Sequence, residues 1–295
     1  MRWSVYTSPG RPAEPASRAA RTAVGVGAAS RPTTVGGVTA PDVDPQRLSD
    51  PGRWPDPARP TLTFYDRRSG ERTELSALTL ANWVAKTASL GTDLLGLEPG
   101  ERVRLALPTH WLGTVWVLAG LAAGWRLVPA DAPPDTGADV IVLAESTLAD
   151  WTRDRAAGDA PAGLDGFRDV VAVSTRPLAV RFGTELPAGA LDYAGEVSSC
   201  ADVFEPAGPP DDAVRAQTAQ WLAAANELAG RHGLTASSRL VRERNPASAG
   251  GIVDTVLAPV LAAASVVLLA DDPAAPDPAW SDHIAQVEGA TRLDT

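Results

Sequence analysis

The sequence predicts an α/β fold, a layered sheet with helices, and three observations carry that prediction. Short apolar runs alternate with longer segments of helical period from about residue 60 to residue 272. The runs "ADVIVLAE" and "SVVLLADD" lack polar alternation, as parallel strands buried on both faces do. Turn signals such as "RRSGER" and "EPGE" separate the segments, and 44% apolar content in 295 residues is ample for a core.

Residues 1–50 are rich in Pro, Gly, Ser, Thr and Ala, show no sustained apolar period and lack the apolar stretch of a signal peptide. They read as a disordered tail. Within 1–41, five arginines (Arg2, Arg11, Arg18, Arg21, Arg31) face Glu14 alone, so a basic arm is one reading. A floppy tail, or a start codon placed too far upstream, is the blander one. The folded region is expected over 51–272, with 273–295 as a C-terminal extension.

Leu62 and Phe64 alternate with Thr63 and Tyr65 in "TLTFYD", a strand, and "TEL" returns as a hairpin after the Gly70 turn. Leu80, Trp83, Val84, Ala88, Leu94 and Leu95 follow at near-helical spacing until Pro99-Gly100 stops the helix. The uncharged stretch Leu105–Trp125 is long enough on paper to cross a bilayer core, which takes about 20 residues. Pro108 breaks it, and what remains is a helix over Trp111–Ala123 between the strands "RVRLALP" and "WRLVPAD", closed by Gly124. That helix is apolar nearly all round, hence buried, so no membrane span is expected and a cytoplasmic location is read. "ADVIVLAE", a Ser/Thr-capped helix at "STLADWTRD" and the strand "RDVVAVS" come next. The pattern weakens over 175–210. A long helix then opens at Pro210-Asp211-Asp212, "SSRLVRE" reads as a strand, "AGGIVDTVLAPVLAAA" as a helix kinked at Pro259, and "SVVLLADD" as a buried strand.

The net charge of −10 disfavours a nucleic-acid partner, whose phosphates require a basic surface. A single cysteine, Cys200, excludes an internal disulfide framework, and no Cys/His pair has zinc-ligand spacing. Of the 26 basic residues only Lys86 is a lysine, and it reads as a solvated helix residue.

The order of these segments resembles the opening of the adenylate-forming superfamily: acyl-CoA synthetases, peptide-synthetase adenylation domains and luciferases. The turn Pro99-Gly100-Glu101-Arg102-Val103 is similar to the family's "PGDRV", Gly124–Asp131 to "GA-VVPLDP", and "ADVIVLAE" to its next strand. "AVRAQTAQWLAAANELAGRHGLTASSRLVRERNPASAGGIVDTVLAPVLAAASVVLLADD" resembles the segment running from "HRNLLAAA" to "LAGATVVLL". The likeness covers about residues 60–272. It implies the N-terminal subdomain of such an enzyme, in a short, truncated bacterial form.

In that family a loop "TSGTTG-PKG" between the two matched halves holds ATP phosphates with backbone N–H groups, hydroxyls and a lysine. Here the place reads "CADVFEPAGPPDD", with one glycine (Gly208), no lysine, and Glu205, Asp211 and Asp212 after Asp202. The family's later adenine, ribose and catalytic-lysine segments have no counterpart before Thr295. The resemblance therefore implies a pseudoenzyme with no catalytic and no metal-binding residues, acting through a protein partner, self-association or weak ligand binding. ATP, AMP or CoA come into question as ligands by resemblance only. The alternative is a ligase half whose catalytic lysine comes from a second chain.

Other candidates read as structural. Cys200 lacks a local relation to His110, His232 or His283 and is taken as a loop thiol. His110 falls where the family has Asn or Ser at a helix start. "NPASAGGI" stands in place of the family's "PLFH-AGG", with Ala247 and Ser248 replacing the aromatic and histidine, so Gly250 and Gly251 are read as a packing turn. Asp271 and Asp272 follow a strand end but lack a glycine-rich turn, and read as a solvated turn.

Overall fold

The computed structural model describes residues 43–148, 164–177, 182, 186, 189–272 and 274–293. The alternation of apolar runs resolves into two five-stranded sheets rather than one. In the first, β1 (Pro60–Asp66) pairs antiparallel with β2 (Arg72–Ser76) and parallel with β9 (Ser265–Ala270), which is followed by β8 (Arg239–Arg242) and β10 (Thr291–Arg292), also parallel. The second is parallel throughout, in the order β4 (Arg126–Val128), β3 (Arg102–Ala106), β5 (Val140–Ala144), β6 (Asp169–Val173) and β7 (Ala190–Asp192). Strand spacing alone does not reveal this partition, because hydrogen-bonded neighbours such as β1 and β9 lie far apart in the chain.

The period-2 rule decides which side chains meet. Leu62 and Phe64 of β1, Leu268 of β9, and Val140, Val142 and Ala144 of β5 face one main core, while Val267, Leu269, Ile141 and Leu143 point to the opposite faces. The main core surrounds α1 (Ala77–Ser89) and α2 (Trp111–Ala123). All residues of α2 are buried, each large side chain contributing roughly 1.5–3 kcal/mol. Gly124 ends α2 at φ 73°, as its place in the sequence predicts. Among the described residues no helix is long and apolar enough to cross a membrane.

Two helices depart from regular geometry where the sequence forces it. Past Ser89, α1 widens into a π turn over Leu90–Leu94, and there Gly91 lies against Trp125; a Cβ at Gly91 would sit 2.2 Å from the indole. The expected kink at Pro259 is met by a π stretch, Ile252–Leu257, in which the Ala258 N–H reaches back to the Val253 carbonyl before Ala258–Leu261 resumes. Helix α3 (Asp212–Arg231) is capped by Asp211, whose carboxylate accepts the Val214 N–H.

The tail boundary placed at residue 50 lies too late. Val43, Leu48 and Trp54 are buried in the main core, and Asp44 and Asp50 cap short turns at Pro45–Arg47 and Pro51–Arg53. Residues 1–42 lie outside the described residues, as does most of the expected "STLADWTRD" helix.

The extension past residue 272 is built into the first sheet. Helix α4 (Pro278–Val287) covers its outer face through Ile284, and β10 pairs with β8. Glu288 fastens this return: it accepts hydrogen bonds from Tyr65, Arg72 and Arg239, while its backbone carbonyl accepts from Arg239 Nε. Burial pushes the Glu288 carboxyl up, but these donors and the Arg239 charge outweigh it and bring it down to about 2. A carboxylate depressed below its ordinary value near 4.3 contributes its stability above that pH and loses it as the pH falls through the folded value. Glu288→Gln should therefore lower stability at neutral pH by about 1–3 kcal/mol and flatten the acid limb of a melting-temperature profile between about pH 4 and 2. A variant with the wild-type acid limb would refute this role.

Candidate functional site

Residues 200–212, the segment that the resemblance sets opposite the phosphate loop, can be judged atom by atom. Lys86 does not point into solvent, as helical position suggests. Its side chain is 22% exposed, and Nζ donates to the carbonyls of Ser198 (3.2 Å) and Cys200 (2.6 Å) and pairs with Asp202 at 2.7 Å. The one ammonium group of the chain is thus committed to fixing the start of this loop. Further along, Gln46 Nε2 holds the Gly208 carbonyl at 3.1 Å. At the loop's end, Asp211 accepts the Val214 N–H at 2.8 Å, occupying the position at the α3 N-terminus where a phosphate would find free N–H groups. Arg215 pairs with Asp212 and donates to the Pro210 carbonyl. The loop is thus rich in carboxylates, and Asp202, Asp211 and Asp212 each have a partner on α1 or α3.

The remaining sequence candidates separate into framework roles. His110 caps α2, its Nδ1 accepting the Leu112 N–H at 3.2 Å, so that Nε2 carries the proton and faces Glu71 Oε2 at 3.8 Å. That is too long for a hydrogen bond, and both atoms are buried without a hydrogen-bond partner. Burial pushes the Glu71 carboxyl up, but His110, and Thr73 Oγ1 donating at 2.6 Å, hold it below the usual carboxylate range. With the imidazole against Phe64 and Trp111, the pair belongs to the core.

Cys200 is half-buried, and burial, the first cause, raises its thiol further against the lowering effect of Lys86; it has none of the character of an activated nucleophile. Asp271 and Asp272 form ion pairs with Arg67 and Arg68, in a turn where Asp271 also accepts the Asp277 N–H. Among the described residues no group of His, Cys, Asp and Glu has metal-binding geometry.

The "NPASAGG" segment joins the two sheets' helices. Asn245 Nδ2 donates to the Leu107 carbonyl, Ala130 N–H to the Ala247 carbonyl, and Asp131 accepts the Ala249 N–H. A Cβ at Gly251 would lie 1.7 Å from the Asn245 carbonyl oxygen, whereas at Gly250 it meets only the flexible end of Arg244. Gly251 is at φ −68°, so contact rather than backbone conformation requires the glycine.

Beyond this segment lies a feature that the motif reading does not reach. At the C-terminal ends of parallel strands β8 and β10 a cavity of about 630 Å³ is lined by Arg242, Glu243, Arg244, Asp254 and Arg292. Arg242 is 6% exposed and donates through Nε to the Asp254 carbonyl at 3.1 Å. Among the described residues its two Nη atoms have no hydrogen-bond partner. Arg244 pairs with Asp254 at 2.8 Å, and Arg292 with Glu243 at 3.0 Å and Asp282 at 3.3 Å. The sequence signal was present in "RLVRER": Arg242 continues a strand whose preceding residues Leu240 and Val241 are buried, and a charge in a buried register calls for a partner.

No family model matches the chain. A protein of Mycobacterium tuberculosis (strain ATCC 25618 / H37Rv), described as a TIGR03089 family protein, is 34% identical over 257 residues, 87% of this chain and all of the relative. The chain belongs to the TIGR03089 family. Solved structures place this TIGR03089 member among acyl-CoA synthetase folds. A Brucella canis acyl-CoA synthetase superposes with a TM-score of 0.64 at 17% identity over 84% of the chain, and a Streptomyces lividans acetoacetyl-CoA synthetase with 0.61 at 21% over the same share. Apo MatB from Rhodopseudomonas palustris gives 0.54 at 13%. The chain spans about half the length of these structures: 46%, 42% and 48% respectively. At such identities the likeness shows the fold, and the adenylate-forming resemblance read from the segment order agrees with it.

Two outcomes test the framework assignments in this TIGR03089 protein. Gly251→Ala should destabilise it by about 3 kcal/mol or more, since a backbone oxygen must move, while Gly250→Ala stays within about 1 kcal/mol; denaturant midpoints at unchanged slope decide it. Lys86→Met should make the 198–202 loop cleavable by limited proteolysis and lower stability by about 1–3 kcal/mol. A cleavage pattern identical to wild type would show that Lys86 is not the anchor.

Proposed function

We propose that this TIGR03089 protein is a non-catalytic binding protein built on an adenylate-forming fold, acting through ligand binding or protein contact rather than by activating a carboxylate with ATP. One observation carries the reading: the loop in the phosphate-binding position is closed by its own residues. Lys86 is bound to Ser198, Cys200 and Asp202, and Asp211 fills the α3 N-terminus. A triphosphate entering there would have to displace the Asp211 cap, worth about 1 kcal/mol, and approach Glu205 and Asp212 with Lys86 and Arg215 already paired. Removing even one preorganised donor from a site of developing charge costs about 2.7–4 kcal/mol in transition-state stabilisation.

The test is a thermal-shift titration of the full chain with ATP and magnesium, AMP and CoA, paired with a carboxylate-dependent pyrophosphate-exchange assay. An unmoved midpoint and no exchange are expected. A ligand at a hundred times its Kd adds about 2.7 kcal/mol, about 5–10 °C for a chain of this size. Such a shift with ATP or AMP, or exchange once a second chain is supplied, would replace this reading with that of a ligase half.

A further inference from the structure

We propose that the cavity at the C-terminal ends of β8 and β10 is a binding site for a compact oxyanion, a carboxylate or phosphate group, held by the forked guanidinium of Arg242 with Arg244 and Arg292 beside it. The position is the one at which parallel sheets present ligands, beyond the carboxyl ends of their strands. The decisive feature is Arg242. Arg242 is 6% exposed and lines the cavity, yet among the described residues only its Nε is hydrogen-bonded, to a backbone carbonyl, and no carboxylate meets its Nη pair. Burial lowers its pKa, Asp254 raises it and Arg244 lowers it again, as expected for a buried cation with incomplete counter-charge. Asp254 cannot complete the match, because its carboxylate already takes Arg244 at 2.8 Å and the Thr255 hydroxyl at 2.8 Å.

The groups lining the cavity are therefore three guanidiniums against Glu243 and Asp254, with Asp282 reaching Arg292 from α4. A fork with two parallel N–H donors matches the paired oxygens of a carboxylate or phosphate, and such charge-assisted bonds are about twice as strong as neutral ones. A volume of about 630 Å³ accepts a small metabolite-sized anion rather than a folded partner. The inference is independent of the nucleotide question, because the residues and the ligand differ from those of the 200–212 loop.

Isothermal titration of the full chain at low ionic strength, with inorganic phosphate in one arm and succinate in the other, tests it. Saturable one-site binding of at least one anion is expected, weakening with added sodium chloride. The arm that binds more tightly identifies the group. Arg242→Gln and Arg242→Lys should both weaken it at least about tenfold, the lysine because it keeps the charge but lacks the fork. Arg231→Gln, on the exposed end of α3, should leave binding unchanged. If both Arg242 variants fail to fold by circular dichroism, Arg292→Gln on the cavity rim decides, with a loss of about threefold or more expected. The proposal is overturned if the wild type takes up neither anion saturably up to about 10 mM, or if the folded Arg242 and Arg292 variants bind as the wild type does.

Discussion

Helix α2 has solvent on none of its faces, and its packing fixes what each neighbouring element can be. Every residue from Trp111 to Ala123 is buried. Where a large side chain approaches the helix, it must supply a small one: a Cβ at Gly120 would come within 2.5 Å of Leu127. Gly91 on the π turn after α1 yields to Trp125 in the same manner. The indoles of Trp116 and Trp125, with their centroids 6.4 Å apart, continue to Tyr193 and fill this volume. Their buried Nε1 atoms lack hydrogen-bond partners, and each such group costs about 1–3 kcal/mol. The apolar area that the same rings bury offsets that cost.

Around this core, charge is handled at the sheet margins in two ways. Most carboxylates near strand ends have donors of their own: Asp271 and Asp272 hold Arg67 and Arg68, and Glu288 gathers Tyr65, Arg72 and Arg239. These clusters are closed, and each ties chain-distant elements together. The Arg242 cavity differs because it is open and its buried cation lacks an equivalent match. The 200–212 loop is the reverse: Lys86 is satisfied by two carbonyls and Asp202, Asp211 caps α3 and Asp212 holds Arg215. Net charge says nothing of this pattern: a chain at −10 still carries a local concentration of guanidiniums.

The elements were largely legible because their signals are local. Pro108 and Gly124 bound α2 and uninterrupted apolar runs mark β5 and β9, whereas the α1 segment ends at Leu94, with Gly96 at φ 63°, before the Pro99-Gly100 stop that the sequence suggests. The division into two sheets was not, since it rests on pairings such as Leu62 with Val266 across two hundred residues. The tail boundary failed for a related reason: Val43, Leu48 and Trp54 are single apolar residues in a Pro-rich stretch, without a period, and are buried only because α1 and α2 offer them a surface. Lys86 read as solvated because helical position shows which face a residue occupies, not which loop crosses it. The Arg242 site was hidden because motif reading weighs residues against known chemistries, and an arginine in a strand matches none of them.

The fold and the chemistry of a site answer to different tolerances. A core position accepts any apolar side chain of about the right volume, so the architecture shared with acyl-CoA synthetases survives at 17–21% identity. A phosphate loop has no such freedom, because glycines must let the backbone approach and a lysine must reach the phosphates. Under the function proposed above, carboxylates in that place leave the scaffold intact because the helix end behind the loop keeps a cap, Asp211, that needs no ligand. At the other margin the substitution runs the opposite way. Arginine at the end of β8 is dearer to bury than the Leu or Val of an ordinary strand, and its Nε bond to Asp254 answers only part of that cost. A buried guanidinium not matched within the scaffold is the observation on which the proposed anion site rests.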